Sequence, residues 1–198
     1  MDVFDAITNR RSSGIVTDEA VDENLLEELL QAAAWAPTHH RTEPWRFCIF
    51  TGKGRETLQQ AMMNGTRVKY YDDPELEKKV AKKGKKVFRA PVIVAVWAAC
   101  GRGDKKNPPV WEDHAAVAAA VQNFMLAAHA KGLATFWRSG DVCDMAEVQA
   151  LMTTPEDSFE GEKGDKILGF IYVGWPDESR PQPLRPTPKL DGKINWYR

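Results

Sequence analysis

The chain has 198 residues, enough for one sizeable domain or two small ones, and the absence of internal repeats and of a domain linker favours one domain over residues 1–198. Its 27 Lys plus Arg against 28 Asp plus Glu give a formal net charge of -1, which argues against a general nucleic-acid binder. Its three cysteines, Cys48, Cys100 and Cys143, form no CxxC pair, which favours a reducing compartment and argues against structural zinc. The first twenty residues contain charges throughout, which argues against a signal peptide. The longest apolar run, residues 90–100, is too short to span a membrane as a helix, so we expect a cytoplasmic protein.

The amino-terminal third predicts three helices and one strand. Residues 2–10 have helical apolar spacing behind Asp2 as N-cap, and a second helix begins at Asp22 and ends before Pro37. Residues 45–52 alternate in polarity and predict a strand closed by Gly52, and residues 55–63 predict a further helix. The second helix has an apolar face formed by Leu25, Leu26, Leu29, Leu30 and Ala33.

The segment between the second helix and the first strand, APTHHRTEPWRF (residues 36–47), is unusually polar. Pro37 and Pro44 exclude a continuous helix and push the preceding residues towards extended geometry. The segment is therefore an ordered loop. It is either a plain surface loop or a binding loop, and the residues of the loop alone leave both interpretations open.

Residues 72–89 are the most charged part of the chain and predict an exposed helix that enters at Pro74 and is weakened at Gly84. The lysine run within it allows two interpretations, a patch that binds phosphate or nucleic acid, or a solvated helix face. The acidic residues just before it and the neutral total charge favour the solvated face.

The carboxyl-terminal half predicts three strands and two helices. Residues 90–100 are almost uniformly apolar and predict a central strand covered on both faces, and residues 133–140 and 165–176 predict two more strands. Residues 111–132 form an alanine-rich helix closed by Gly132, and residues 143–152 form a short one. The small side chains suit close approach of a partner helix, so the long helix is either a subunit contact or an ordinary buried helix. The tail from residue 177 is proline-rich, and we expect it to lie along a surface.

Three arginine sites stand out: NRRSS (residues 9–13), HHR (residues 39–41) and FWRSG (residues 136–140). Guanidinium groups with adjacent hydroxyls suit a phosphate dianion, although each site alone also fits a surface salt bridge. The chain has no GxxxxGK, no GxGxxG after a strand and no GxSxG. A metal site could be assembled from His39, His40, Glu43, Glu112, Asp113 and His114. Their spacing matches none of the usual ligand patterns, so we expect no metal.

Taken in order, NRRS, the AP…PWRF loop, RAPVIVAV, the alanine-rich helix, GLATFWRSG and DKILGFIYVGWP resemble the nitroreductase family, in particular the small single-domain NAD(P)H nitroreductases. The resemblance implies an α+β fold with a central β-sheet flanked by helices, in an intertwined homodimer that binds FMN at its interface. It also implies that electrons pass from NAD(P)H through the flavin to a nitro, quinone or related small-molecule acceptor. Because the cofactor carries this chemistry, we expect no catalytic side chain.

The resemblance also implies site residues. The early Arg-Arg-Ser would hold the FMN phosphate and ribityl chain, and Arg138 would supply a second phosphate cation. The polar loop would reach the flavin of the other subunit, with His39 as its principal contact, and residues 127–132 align with a segment linked to NAD(P) binding. The implied cofactor-binding set is Arg10, Arg11, Ser12, Trp35, His39, Arg41, Trp137, Arg138 and Ser139.

Two loop positions depart from the family pattern, with Arg41 where many members have asparagine and Glu43 where they have glutamine. The two side chains could pair with each other or meet the edge of the flavin. There a cation would stabilise the reduced anionic flavin and a carboxylate would oppose it. The alternative function is a flavin-binding relative with another reaction, such as flavin fragmentation or reductive dehalogenation, or a non-catalytic FMN binder.

Overall fold

The computed structural model describes residues 1–103 and 107–198, and in them an antiparallel sheet lies between two sets of helices. The strands are β1 (Trp45–Thr51), β2 (Val92–Ala98), β3 (Ala134–Arg138) and β4 (Lys166–Gly174), in the order β1-β2-β4-β3. The helices are α1 (Val3–Asn9), α2 (Glu23–Ala34), α3 (Gly54–Lys69), α4 (Leu76–Gly84), α5 (Val110–Ala130) and α6 (Ala146–Gln149). This is the expected α+β architecture.

Strand β2 is the centre of the sheet, and all seven of its residues are buried. Val94 and its like-facing neighbours pack with Leu29 of α2 and Phe124 of α5. Ile93 and Trp97 face the other way, into a second core with helices α3 and α6. Burying one large apolar side chain stabilises the fold by about 1.5–3 kcal/mol, so a strand covered on both faces anchors the sheet. The prediction of such a strand is confirmed.

The predicted helix ends are also confirmed where a capping group is visible in the sequence. Asp2 accepts a hydrogen bond from the backbone N–H of Asp5 at 2.9 Å, and Asp22 accepts one from the N–H of Asn24 at 2.9 Å. After α5, Gly132 adopts a positive φ of 84°, a conformation that glycine supplies without steric cost.

The charged segment differs from the prediction. Helix α4 begins only at Leu76, because Pro74 lies in the preceding turn, and Gly84 ends it before a 3₁₀ turn from Lys85 to Arg89. A Cβ on Gly84 would meet Met63 Sδ of α3 at 2.7 Å, so this glycine permits close packing of the two helices. The boundaries of α3 and α6 also shift, the first helix being longer and the second shorter than predicted.

The proline-rich tail has no regular secondary structure. Its first part lies on the amino-terminal segment, where Ser13 Oγ donates to Gln182 Oε1 at 2.6 Å and Arg185 Nη1 donates to the Ile7 carbonyl at 3.1 Å. Its end is exposed, with Tyr197 91% accessible. The expectation of a surface-bound tail therefore holds for its first part within this chain.

Within residues 1–103 and 107–198, no helix combines the length and apolar character needed to cross a membrane.

Candidate functional site

A group of basic side chains gathers at the carboxyl-terminal end of α1, and we call it the basic cluster: Arg10, Arg11, His129 and Arg185. Arg11 Nη1 donates to the Thr8 carbonyl at 2.7 Å, and Arg185 Nη1 donates to the Ile7 carbonyl. These carbonyls belong to the last turn of α1, where the helix dipole is negative and favours cations. The helix end therefore holds the guanidinium groups in place.

The basic cluster contains donors without acceptors. Arg10 Nη1 and His129 Nε2 are buried and have no hydrogen-bond partner within the described part of the chain. Burial, followed by the charges of Arg185 and Arg11, lowers the pKa of Arg10. Cations that repel one another and leave a donor unsatisfied suit a bound anion, and a phosphate dianion offers both the charge and the acceptor oxygens.

A short extended segment leads from the basic cluster along the edge of the sheet. Ser12 forms an isolated parallel bridge with Thr135 of β3, and the backbone N–H of Ser13 donates to the Thr135 carbonyl at 2.9 Å. The Ser12 side chain is exposed. This segment leads to Gly14 and the second feature of the site, an open cleft.

The cleft beside β3 has a volume of about 350 Å³ and combines aromatic rings with guanidinium groups. The Arg138 guanidinium lies 5.5 Å from the centre of the Phe136 ring. Burial raises the pKa of Tyr172, while the charges of Arg138 and Arg89 partly oppose that rise. The lining residues are Gly14, Val16, Asp18, Phe88, Arg89, Phe136, Arg138, Tyr172 and Arg180. Such walls suit a planar ring that carries polar or anionic edges.

The structure places the predicted arginines in two features of the site. Arg10 and Arg11 belong together in the basic cluster, whereas Arg138 lies in the wall of the cleft. Lys86 approaches the same region, and its pKa is lowered by burial and by the nearby charges of Lys83 and Arg138. Arg138 therefore lies with Arg89 and Lys86 beside the cleft.

The two other predicted residues of this segment, Trp137 and Ser139, do not line the cleft as described. Trp137 Nε1 donates to the Leu168 carbonyl at 3.1 Å, and Ser139 is exposed. Gly169 of β4 makes this arrangement possible, because it has a φ of 142° and a Cβ there would lie 2.4 Å from the Arg138 carbonyl oxygen. The close approach of two backbones thus fixes the direction of Trp137 and Arg138.

The polar loop is a strained turn, since three of its non-glycine residues have positive φ: His40 at 54°, Arg41 at 55° and Glu43 at 43°. Such conformations cost on the order of 1–3 kcal/mol each and are concentrated at functional sites. Arg41 and Glu43 form no ion pair with each other in the described structure, and both are exposed.

The first turn of α5 holds the loop in this conformation. Thr42 Oγ1 donates to Asp113 Oδ1 at 2.8 Å, and His39 Nδ1 forms a hydrogen bond with the carboxylate of Glu112. The His39 ring also stacks on His40, with 3.9 Å between ring centres. A strained loop with an oriented, half-exposed imidazole is typical of a prepared binding surface.

The loop and the basic cluster lie at opposite ends of α5. Glu112, which holds His39, is in the first turn of this helix, and His129 is in its last turn. Seventeen residues separate them, which corresponds to about 25 Å at a rise of 1.5 Å per residue. Trp35, at the end of α2, is 80% exposed. One chain therefore presents two separate halves of the predicted site.

Sequence reasoning missed several residues of this region. Arg180 and Arg185 come from the tail, Arg89 from the RAPVIVAV motif, where it was given no role, and His129 from residues 127–132, which were linked only to NAD(P) binding. Only the fold brings them to α1 and β3. The expected absence of a metal site remains untested by this structure, although no group of three metal-ligating side chains occurs among the residues described.

The sequence profile described as the Nitroreductase family matches residues 7–175. This chain belongs to that family. YdjA of Escherichia coli (strain K12), which carries the provisional name NAD(P)H nitroreductase, is 32% identical over 89% of this chain and 89% of its own.

Solved structures show the same fold. A nitroreductase-like family protein from Bacillus cereus is 28% identical, with a TM-score of 0.78 over 100% of this chain and 96% of its own. A provisionally assigned nitroreductase from Desulfovibrio desulfuricans, crystallised in complex with FMN, is 26% identical, with a TM-score of 0.68 over 100% of this chain and 98% of its own.

Proposed function

We propose that this protein is an FMN-dependent oxidoreductase that passes electrons from NAD(P)H to a nitro, quinone or related small-molecule acceptor. One observation carries the proposal: a chain of the Nitroreductase family holds an unsatisfied basic cluster next to an aromatic cleft. The relative from Desulfovibrio desulfuricans was crystallised with FMN, a ligand that combines a phosphate with a planar ring.

The basic cluster is the proposed phosphate subsite. Arg10 offers a buried N–H without a partner, and Arg11 and Arg185 supply further positive charge. Ser12, the next residue along the chain, has an exposed hydroxyl. Charge-assisted bonds from guanidinium groups and a short bond from a hydroxyl are what a phosphate monoester needs.

The cleft beside β3 is the proposed subsite for the flavin ring. Phe136 and Tyr172 provide flat apolar surface, and Arg138 and Arg89 provide cations at its edge. When bound, FMN would supply the two-electron redox chemistry of the reaction. The residues of the chain bind and orient it, exclude water from one face, and place positive charge beside it.

We also propose that the active form is a homodimer. Because His39, Arg41 and Trp35 lie at the opposite end of α5 from the basic cluster, they can complete a cofactor site only in a second copy of the chain. Helix α5 has an exposed stripe that includes Trp111 and Ala115. Large apolar residues exposed on α1, α2, α5 and the tail include Phe4, Trp35, Trp111, Leu184 and Trp196. Exposed apolar surface of this extent is typical of a protein–protein interface.

Anaerobic reduction of the FMN-loaded protein tests the activity. NADH or NADPH should bleach the flavin absorbance, and a quinone or nitroarene should restore it, with ping-pong steady-state kinetics. Bound flavin that neither nicotinamide reduces would instead support the non-catalytic alternative. Flavin that is reduced but reoxidised by neither acceptor would point to a different reaction.

A further inference from the structure

The last turn of α5 places a histidine beside the arginines of the basic cluster. His129 Nε2 is buried and has no hydrogen-bond partner among the described residues, which is also true of the neighbouring Arg10 Nη1. A buried ring nitrogen without a partner is rare in folded proteins and needs an explanation. The charge of Arg10 acts on His129, so a single bound anion would suit both groups.

The charged groups around His129 are mostly cations. Arg10 and Arg11 face it from the end of α1, and Arg185 reaches Arg10 from the tail. On its own helix segment the nearest charge is Lys131, whose ammonium pairs with Glu28 of α2. Burial, followed by the charges of Arg10 and Arg11, lowers the pKa of His129. Without an anion, the imidazole is therefore neutral near neutral pH.

A phosphate dianion in the cluster reverses this balance. Its charge offsets that of the guanidinium groups and favours the protonated imidazole, so the pKa of His129 rises on binding. The imidazole would then take a proton from solvent and donate a hydrogen bond to a phosphate oxygen, with no covalent bond formed or broken. FMN binding is coupled to protonation of His129 at pH values between the pKa of His129 in the free protein and its higher pKa in the complex.

We propose that His129 is a further donor of the phosphate subsite and that FMN binding takes up a proton at this residue. The inference rests on the proposed function and adds to it a residue from α5 and a dependence of cofactor retention on pH. Affinity for FMN should rise, relative to a variant without the imidazole, as the pH falls from neutrality through this interval.

Calorimetric titration of the apoprotein with FMN, in buffers with different heats of protonation, counts the protons directly. Near neutral pH, the wild type should take up a larger fraction of a proton per FMN bound than His129→Gln. His114→Gln is the matched control, because His114 lies on the same helix but its Nε2 contacts the Gly164 carbonyl at 2.9 Å. The control should behave as the wild type. The second ionisation of the FMN phosphate, with a pKa of about 6, contributes equally to all three proteins.

Riboflavin and inorganic phosphate separate the parts of the ligand. Inorganic phosphate should raise the NMR-measured pKa of His129 in the wild type, and riboflavin should leave it unchanged. This measurement also covers the case in which His129→Gln fails to fold. Equal proton uptake by wild type and His129→Gln, or an unchanged pKa of His129 on adding FMN, would overturn the inference. Complete failure to bind FMN would instead overturn the proposed function.

Discussion

Replacing Arg10 by methionine separates a binding role from a structural role, because the two predict opposite effects on the apoprotein. The methionine keeps the apolar stem of the side chain and removes the guanidinium. Since the pKa of Arg10 is lowered by burial and by Arg185 and Arg11, the folded apoprotein disfavours this charge. Its removal should leave the melting temperature of the apoprotein unchanged or raise it.

FMN binding should respond in the opposite direction. A charge-assisted hydrogen bond contributes on the order of 1.5–3 kcal/mol. At 1.4 kcal/mol per factor of ten, Arg10→Met should weaken FMN binding roughly ten- to a hundred-fold. Fluorescence titration of the apoprotein with FMN at fixed ionic strength gives the affinity, and thermal unfolding of the same samples gives the stability.

Lys82→Met is the control for the loss of one positive charge, because Lys82 is exposed on α4. It should change neither quantity. An Arg10→Met protein that binds FMN within twofold of the wild type would refute the phosphate subsite. A parallel fall in affinity and apoprotein stability would show that Arg10 acts through the fold.

Three further predictions concern the proposed flavin-ring subsite, the dimer interface and the packing of β4 on β3. Arg138→Met should weaken binding of riboflavin as well as FMN, in contrast to Arg10→Met, because Arg138 lies in the cleft. Equal riboflavin affinity in Arg138→Met and wild type would indicate that Arg138 contacts the phosphate instead. Ala115→Trp on the exposed stripe of α5 should overpack the dimer interface by about 1–3 kcal/mol and lower dimer content and FMN occupancy together in sedimentation; an unchanged dimer would place the interface elsewhere. Gly169→Ala should lower the melting temperature, because its Cβ would lie 2.4 Å from the Arg138 carbonyl oxygen, whereas Gly54→Ala, with nothing within 4 Å, should not.

Local patterns in the sequence predicted the parts of the fold that local physics decides. The uninterrupted apolar run of β2 requires cover on both faces, and Asp2 and Asp22 can satisfy helix N–H groups only at an N-terminus. The predicted end of α4 was wrong because the helix stops at Gly84, where it packs closely on Met63 of α3, and no local sequence pattern records that contact.

The candidate site was only partly predictable for the same reason. The pairing of His39 with Glu112 joins residues that are 73 positions apart, and Arg185 contacts Ile7 across 178 positions. The positive φ of Arg41 follows from these tertiary contacts, since arginine has no preference for that region. A motif indicates a candidate arginine, but long-range packing decides which cations gather around it.

Sedimentation of the FMN-loaded protein, followed by both protein and flavin absorbance, tests the central claim of a cofactor site shared between two chains. The account predicts that flavin sediments with the dimer and that dilution to monomer releases it, because each chain supplies only one half of the site. His39→Ala should weaken flavin retention by the dimer, since the loop reaches the cofactor of its partner. A monomer that retains FMN at full occupancy would contradict the shared site and the role of His39 in it.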